Sequence, residues 1–411
     1  MADWTQRGSV ITAPDAAANL DFGYRVATNA DASAFATTSR YWNTSLDSTA
    51  GVYVFVWDGS SWAQRGSVVA LPAYSNPSVH SNDYASGDSI AINEDATILV
   101  IGSAQYGTGL DQLGGVDVFD WDGSAWTQRG SVLTASDGVD GDGFGKGVAI
   151  SGDGSILFVG ANGWEGANSN QGGVYVFDWS GSAWTQRGSV ITAGDAAASD
   201  QFGFSVGCSQ DGAWLIVGAT AWEGTTTNQG GAYVLSWDGS SWSQVGSVIV
   251  ASDPLATDHY AETVSINGDG TRVAIGADQW EGAITNMGRT YVFGWSGSAW
   301  SALTHITAPD AASNDLFGPA ALDSTGSVAI VGASLWEGAN SNQGGVYVFD
   351  YTPPPAGSGA FTIRPTVAGA GEFTNTTGAS GSGSITIYPA GAGAGTFPTN
   401  YGSGGQYIRS G

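Results

Sequence analysis

Alternating runs of apolar residues, separated by short polar turns, recur along most of the chain. Between residues 172 and 191, two runs rich in aromatic and β-branched residues flank the turn Ser180-Gly181-Ser182. Gly adopts positive φ at little cost and such side chains favour strands, so this stretch predicts a β-hairpin. Both alternating positions of its strands are apolar, as in Val174 and Tyr175. The pattern indicates sheets that are covered on both faces.

The hairpin belongs to a unit that occurs six times. Its last strand begins at Trp4 and returns after 58, 64, 58, 58 and 58 residues, at Trp62, Trp126, Trp184, Trp242 and Trp300. Between these strands lie an acidic, Ala-rich connection, a strand opened by Phe-Gly or a related sequence, a turn, and two further apolar strands. Four strands in sequential antiparallel order, repeated at this period, are typical of propeller blades.

The two ends of the repeat region complement each other. The last unit stops at Tyr351, before Pro353-Pro354-Pro355, without a fourth strand, whereas the chain begins with a strand of that fourth type. We therefore predict that residues 4–11 pair with residues 346–351. This pairing closes an all-β, six-bladed β-propeller over residues 1–352 and leaves no open edge in the terminal blade.

Residues 353–411 have a different composition, rich in Gly, Ala, Ser, Thr and Pro. The segment from Gly357 to Pro365 returns 24 residues later as the segment from Gly381 to Pro389. Segments this short bury too little apolar surface to fold alone. They form either a flexible linker or, as we prefer, an anchoring tail ordered by other virion or surface proteins in a homo-oligomeric assembly.

Composition argues against several classes of function. The chain has 37 acidic and 11 basic residues and a formal net charge of −26. That charge repels a phosphate backbone, so nucleic-acid binding is not expected. The single cysteine, Cys208, excludes an internal disulfide framework. No apolar run approaches the roughly 20 residues of a membrane span, and the first residues lack the basic and apolar regions of a secretory signal.

One unit shows a resemblance to a known family most clearly. It contains Asp200-Gln201-Phe202-Gly203, then Asp211-Gly212 before an apolar strand, then Gly230-Gly231-Ala232-Tyr233. The chain resembles the FG-GAP repeat family, which includes the propeller heads of integrin α-subunits and many bacterial surface proteins. The resemblance covers roughly residues 4–351 and implies a propeller that serves mainly as a binding platform. Integrin-type heads have seven blades, whereas the sequence predicts six here.

Calcium-binding members of that family use an Asp-rich loop in the first hairpin of a blade. The corresponding loops here, such as Ser151-Gly152-Asp153-Gly154, offer one carboxylate each. Ca²⁺ takes roughly six to eight oxygen ligands, so we expect turns at these loops and no cofactor. The acidic connections offer a weaker cation site, which Asx turns and solvated charges explain more simply. The residues concerned are Asp195, Asp200, Asp310 and Asp315.

The loop between the second and third strands carries a Trp-Glu-Gly motif in four units. Aromatic rings stack on sugar rings and carboxylates accept hydrogen bonds from hydroxyl groups, so the pattern predicts a glycan-binding rim on one face. A structural role, with Trp wedged between blades and Glu capping loop amides, accounts better for the regular recurrence. The candidate residues are Trp164, Glu165, Trp222, Glu223, Trp280, Glu281, Trp336 and Glu337.

Catalysis finds little support in the sequence. The histidines His80, His259 and His305 occupy non-equivalent positions, and neither G-x-S-x-G nor H-E-x-x-H occurs. We therefore expect a non-enzymatic structural and binding protein at the virion surface of a bacteriophage, such as a tail fibre or decoration protein that attaches to a host receptor or glycan. The alternatives are a secreted or cell-surface bacterial adhesin and a carbohydrate-active enzyme on a propeller scaffold.

Overall fold

A computed structural model describes residues 3–15, 17–43, 49–70, 87–107, 113–253, 258–353, 361–363 and 385–387. Throughout these ranges the chain forms strands, turns and loops. The described residues include no helix with the length and apolarity needed to cross a membrane. Contacts divide the chain into one unit of Trp4–Tyr351 and a second unit of Met1–Asp3 with Thr352–Gly411.

The strands of the larger unit form six antiparallel sheets, which are the blades of a propeller. Blade 1 contains β2 (Phe22–Thr28), β3 (Ala34–Asn43), β4 (Thr49–Trp57) and β5 (Trp62–Gln64), with β6 (Val69–Ala70) also paired to β4. Blade 2 contains β7 (Ser89–Ile92), β8 (Ile98–Ser103), β9 (Gly115–Trp121) and β10 (Trp126–Gln128). Blade 3 contains β11 (Phe144–Ile150), β12 (Ile156–Ala161), β13 (Gly173–Trp179) and β14 (Trp184–Gln186).

The remaining blades follow the same order. Blade 4 contains β15 (Phe202–Cys208), β16 (Trp214–Ala219), β17 (Gly231–Trp237) and β18 (Trp242–Gln244). Blade 5 contains β19 (Thr263–Ile266), β20 (Arg272–Ala277), β21 (Arg289–Trp295) and β22 (Trp300–Ile306). Blade 6 contains β23 (Phe317–Leu322), β24 (Val328–Ala333), β25 (Gly345–Thr352) and, as its outermost strand, β1 (Asp3–Gln6).

The predicted closure of the ring is confirmed. The N–H of Arg7 donates to Val348 O at 2.6 Å, and Ile11 and Val346 exchange a pair of backbone hydrogen bonds at 2.8 and 2.9 Å. The Trp4 ring lies 5.2 Å from that of Tyr351. It thereby reproduces the cross-strand Trp pairs of the other blades, such as Trp179 with Trp184 at 5.1 Å. The N-terminal strand therefore completes blade 6.

The innermost strands of the six blades form a closed circle. Each contacts the next in the order β2, β7, β11, β15, β19, β23, and β23 contacts β2. At the ends of these strands, backbone hydrogen bonds link one blade to the next, as from Gly152 to Gln210 O at 2.7 Å and from Ser324 to Ala30 O at 2.8 Å. The turns around them line a cavity of about 70 Å³. We call this side of the propeller the turn face.

The Phe-Gly pair that opens the inner strands has a clear physical role. Phe202 is fully buried and meets the Tyr233 ring edge-on at 5.3 Å. Gly203 has a φ of +92°. A Cβ at this position would lie 2.4 Å from the carbonyl oxygen of Gly173 in the preceding blade. Phe fills the core while Gly permits this close approach of two backbones.

Apolar side chains on both faces of the blades are buried between neighbouring blades, as the alternating pattern predicts. One core cluster joins Phe158 of blade 3 to Val217 and Leu235 of blade 4. Cys208 packs against this cluster, where burial raises the pKa of its thiol. In the second unit, β26 (Phe361–Ile363) and β27 (Ile385–Ile387) pair in parallel. The other predictions for the tail concern residues outside the described ranges.

Candidate functional site

The Trp-Glu-Gly loops lie on the face opposite the turn face, because they connect the second and third strands of each blade. We call this side the loop face. In blades 4 to 6, the indole donates a hydrogen bond to an aspartate of the acidic connection that precedes its own blade. The Nε1–H of Trp222 donates to Asp195 Oδ2 at 3.4 Å, and the Tyr233 hydroxyl donates to Asp195 Oδ1 at 2.9 Å. Trp336 and Tyr347 hold Asp310 in the same way, at 3.2 and 2.8 Å.

Glycines and a buried glutamine shape these loops further. A Cβ on Gly166 would lie 2.5 Å from the Trp164 ring, so the loop backbone packs directly against the indole. The buried Gln171 accepts a hydrogen bond from the Asn168 N–H at 2.8 Å. The equivalent bond of blade 4 runs from the Thr226 N–H to Gln229 at 3.2 Å. The packing of Gly against Trp recurs in blades 3 to 6, whereas blade 5 has Met287 in place of the glutamine.

The loops leave the tryptophans half-buried and the glutamates exposed. In blades 3 to 6, the exposed carboxylates belong to Glu165, Glu223, Glu281 and Glu337. In blade 5, the Arg289 guanidinium also lies 3.3 Å from the centre of the Trp280 ring. Sugar binding by the Trp and Glu side chains stays a prediction. The structure shows that they share one face and recur at intervals of one blade.

The aspartates considered as cation ligands are engaged within the chain. Asp195 and Asp310 accept the hydrogen bonds from Trp and Tyr described above. Asp200 accepts from the Ala197 N–H at 2.7 Å and Asp315 from the Ala312 N–H at 2.6 Å. Burial raises the pKa of both carboxyl groups. Among the described residues, none of these four belongs to a group of three ligand-bearing side chains within 4.8 Å. Cation binding here stays untested.

A cluster of charged residues that was not predicted from the sequence lies at the centre of the loop face. One position at the start of the inner strands follows a residue with positive φ in blades 1 to 5 and holds a different side chain in each of these blades. Its occupants in blades 1 to 5 are Tyr24, Asp88, Lys146, Phe204 and Glu262. The framework residues repeat while this position does not, so the symmetry of the propeller is broken around its axis. We call this region the axial mouth.

Arg25 links three blades across the axial mouth. Its Nη2 donates to Glu262 Oε1 of blade 5 at 2.8 Å, and its Nε donates to the carbonyl oxygen of Asp88 in blade 2 at 3.0 Å. The side chains of Arg25 and Glu262 are 7 and 13 % exposed. Blades 1 and 5 are not neighbours in the ring, so this ion pair spans its centre.

A second buried ion pair lies beside the first. Lys146 Nζ lies 3.1 Å from Asp88 Oδ1 and 4.7 Å from the centre of the Phe204 ring. Burial lowers the pKa of Lys146, but the Asp88 carboxylate outweighs this effect and leaves the pKa above its ordinary value. The only lysine of the chain is therefore a fixed positive charge at the axial mouth.

His259 completes the axial mouth in blade 5. Its Nδ1 lies 3.1 Å from Glu262 Oε2 and 3.4 Å from Asp278 Oδ1. The two carboxyl groups, Asp278 and Glu262, raise the pKa of His259 to about 10. Burial and the charge of Glu262 raise the pKa of Asp278. Burial opposes ionisation of Glu262 as well, but Arg25 and His259 hold its pKa below the ordinary range.

The sequence contained one signal for this cluster. Blade 5 replaces Phe-Gly by Tyr260-Ala261, immediately between His259 and Glu262. Ala261 has a φ of +66°, in the region that favours glycine. The Tyr260 hydroxyl is buried without a hydrogen-bond partner among the described residues. Such local departures from an otherwise regular repeat cost stability and are typical of functional sites.

Comparisons with known proteins agree with the fold. The FG-GAP repeat family matches residues 126–177, 184–235, 242–293 and 300–349. No curated protein sequence matches the chain.

Three solved structures are similar to this chain at low sequence identity. A protein of unknown function from Desulfotomaculum acetoxidans is 13 % identical, with a TM-score of 0.45, over 79 % of this chain and 85 % of its own. A putative TolB from Agrobacterium tumefaciens is 11 % identical, with a TM-score of 0.41, over 80 % of this chain and 90 % of its own. A periplasmic gluconolactonase from Pseudomonas aeruginosa is 11 % identical, with a TM-score of 0.44, over 80 % of this chain and 88 % of its own. Similarity at this level carries no information about activity.

Proposed function

The chain belongs to the FG-GAP repeat family, and from this premise we propose that it is a non-enzymatic binding protein whose loop face attaches to surface polysaccharides. One observation carries the proposal. Blades 3 to 6 each present an exposed Glu beside a half-buried Trp, on a loop whose glycine packs against the Trp ring. Four weak subsites at fixed spacing suit a polymer with repeating units, because linked contacts raise the overall affinity without strengthening any single one.

Charge narrows the class of polysaccharide. The subsites carry exposed carboxylates, and the whole chain has a formal net charge of −26. Acidic polysaccharides are therefore repelled, whereas neutral and amino sugars offer hydroxyl or ammonium donors to the carboxylates. The proposed ligands are neutral or amino-sugar polymers.

We expect a glycan array to show binding to neutral or amino-sugar polysaccharides and little binding to uronic-acid polymers. Replacing Glu165, Glu223, Glu281 and Glu337 by Gln should weaken this binding stepwise, by about 2–5-fold for each change, since each removes one charge-assisted hydrogen bond of a multivalent contact. The matched control is Glu94→Gln, which changes an exposed glutamate on the turn face.

Two results would contradict the proposal. One is unchanged binding by the fourfold Gln variant. The other is release of reducing sugars from a bound polysaccharide, with loss of this release in Glu262→Gln, which would instead favour the carbohydrate-active enzyme. The enzyme is the second candidate because two carboxyl groups, those of Glu262 and Asp278, approach each other in the axial mouth.

We further propose that the protein is displayed on the surface of a phage particle, as a fibre or decoration protein. Its acidic composition, its single cysteine and its repeated Gly-rich C-terminal segment support this location. A secreted or cell-surface adhesin is the alternative.

Mass spectrometry of purified particles, envelope and supernatant tests the location. We expect peptides such as the one after Arg187 to be enriched in particles, at a stoichiometry that matches other structural proteins. Confinement of these peptides to the envelope or supernatant would disprove the virion location and leave the adhesin as the proposal.

A further inference from the structure

Three side chains with metal-binding atoms converge in the axial mouth, all from blade 5 or the connection that leads into it. His259, Glu262 and Asp278 each offer one ligand atom, and these atoms lie within 4.8 Å of one another. His259 and Glu262 lie just before the inner strand β19, and Asp278 follows the end of β20. The antiparallel pairing of β19 and β20 brings these two points together.

The hydrogen bonds within the cluster leave one carboxylate oxygen without a donor. A single proton on His259 Nδ1 can serve only one acceptor, and Glu262 Oε2 is the nearer at 3.1 Å. Asp278 Oδ1 is buried and has no hydrogen-bond donor among the described residues. A buried, unsatisfied acceptor is costly, and a bound cation removes that cost.

Arg25 holds Glu262 in a suitable orientation. The Arg25 guanidinium donates a hydrogen bond to Glu262 Oε1, so the other oxygen of this carboxylate, Oε2, faces His259 and Asp278. Ligating side chains in metal sites are regularly oriented by a hydrogen bond from a second residue that does not itself bind the metal.

Two of the three distances between the ligand atoms are close to those of tetrahedral coordination. With metal–ligand bonds of about 2.0–2.2 Å, the ligand atoms of a tetrahedral site lie about 3.3–3.6 Å apart. The Nδ1 atom of His259 lies 3.1 and 3.4 Å from the two carboxylate oxygens. We propose that His259, Glu262 and Asp278 bind one divalent transition-metal ion through Nδ1, Oε2 and Oδ1.

The ligand set distinguishes between classes of cation. An imidazole with two carboxylates suits Zn²⁺ and its first-row neighbours, whereas three side chains are too few for Ca²⁺. Three protein ligands also leave a fourth position for water or for a group of a ligand. The His259 side chain is 46 % exposed, so the site is open to solvent.

In two other blades, the side chains at the equivalent positions pair with each other. In blade 4 these positions hold Gln201 and Thr220, whose side chains form a hydrogen bond of 3.0 Å. In blade 1 they hold Asp21 and Arg40, which form an ion pair of 2.6 Å. The proposed site is therefore specific to blade 5, and Gln201 provides a matched control for His259.

Isothermal titration of the metal-free full-length chain with Zn²⁺, in an excess of Mg²⁺ that occupies simple carboxylate sites, tests the proposal. We expect one equivalent to bind. His259→Gln and Asp278→Asn should each weaken binding by at least the ~10–100-fold typical of lost supporting residues. The control Gln201→Ala should bind as the parent does.

A spectroscopic measurement keeps the test independent of whether the variants fold. Co²⁺ added to the unmodified chain should give the visible absorption of a four-coordinate site, and one equivalent of Zn²⁺ should abolish it. Absence of one-to-one binding in the unmodified chain would overturn the proposal. Undiminished binding in folded His259→Gln would overturn it as well.

Discussion

Deletion of residues 1–11 is expected to open the ring at blade 6 and to produce the largest loss of stability of any change considered. The deletion removes the outermost strand of that blade together with Trp4, which is only 8 % exposed. Loss of one buried Trp side chain alone costs about 3–5 kcal/mol. The hydrogen bonds of Arg7 and Ile11 to β25 are lost in addition.

The deletion also exposes the edge of β25. Its free N–H and C=O groups can then pair with another chain, so we expect association as well as destabilisation. Thermal or denaturant unfolding measures the first effect and light scattering measures the second.

A transplanted strand provides the control for this prediction. A copy of residues 4–11, joined after Tyr351 through the turn sequence Ser-Gly-Ser-Ala of residues 180–183, should restore the stability that the deletion removes and abolish the association that it causes. The other blades already use this connection, as between Trp179 and Trp184. An unchanged unfolding midpoint in the deletion variant would show that the closing strand does not stabilise the ring.

Arg25→Met is expected to lower the free energy of unfolding by about 3–5 kcal/mol. The substitution keeps much of the apolar stem but removes the guanidinium, and it leaves the Glu262 carboxylate buried beside Asp278 without its main compensating charge. Breaking a buried ion pair on one side has a cost of about this size. Chemical denaturation of metal-free protein measures it.

Two further variants separate this effect from a general loss of charge. Arg187→Met breaks the Arg187–Asp178 pair of blade 3, whose side chains are 27 and 46 % exposed, and should cost at most about 1 kcal/mol. Arg25→Met combined with Glu262→Leu removes both buried charges and should recover much of the lost stability. Equal effects of Arg25→Met and Arg187→Met would contradict the expected role of the axial pair.

Most of the framework could be predicted from local sequence. Trp179 and Trp184 face each other because a four-residue turn separates them, and Phe202-Gly203 opens a strand wherever the repeat places it. The Trp-Glu-Gly loops were predicted for the same reason. Their hydrogen bonds to Asp195 and Asp310 were not, because nothing local indicates which donors a carboxylate in a connection will meet.

The axial mouth could not be predicted in this way. Arg25 and Glu262 are 237 residues apart, and no local pattern relates them. In the sequence, His259 was one of three histidines at non-equivalent positions, and this was an argument against a catalytic site. Comparison of Tyr260-Ala261 with the Phe-Gly pairs of the other blades would have shown where in the sequence the site lies. It would not have shown which residues of the other blades contact it.

The strands, their order within each blade, the number of blades and the strand that closes the ring could all be predicted from the amino-acid sequence. These features follow from side-chain alternation, turn chemistry and a regular period, which act between residues close in the chain or equivalent in the repeat. The contacts between side chains at the axis, in contrast, depend on the folded ring. Ring closure brings the inner strands of non-adjacent blades to the same place, and burial there makes the pairing of Arg25 with Glu262 and the approach of His259 to Asp278 energetically important.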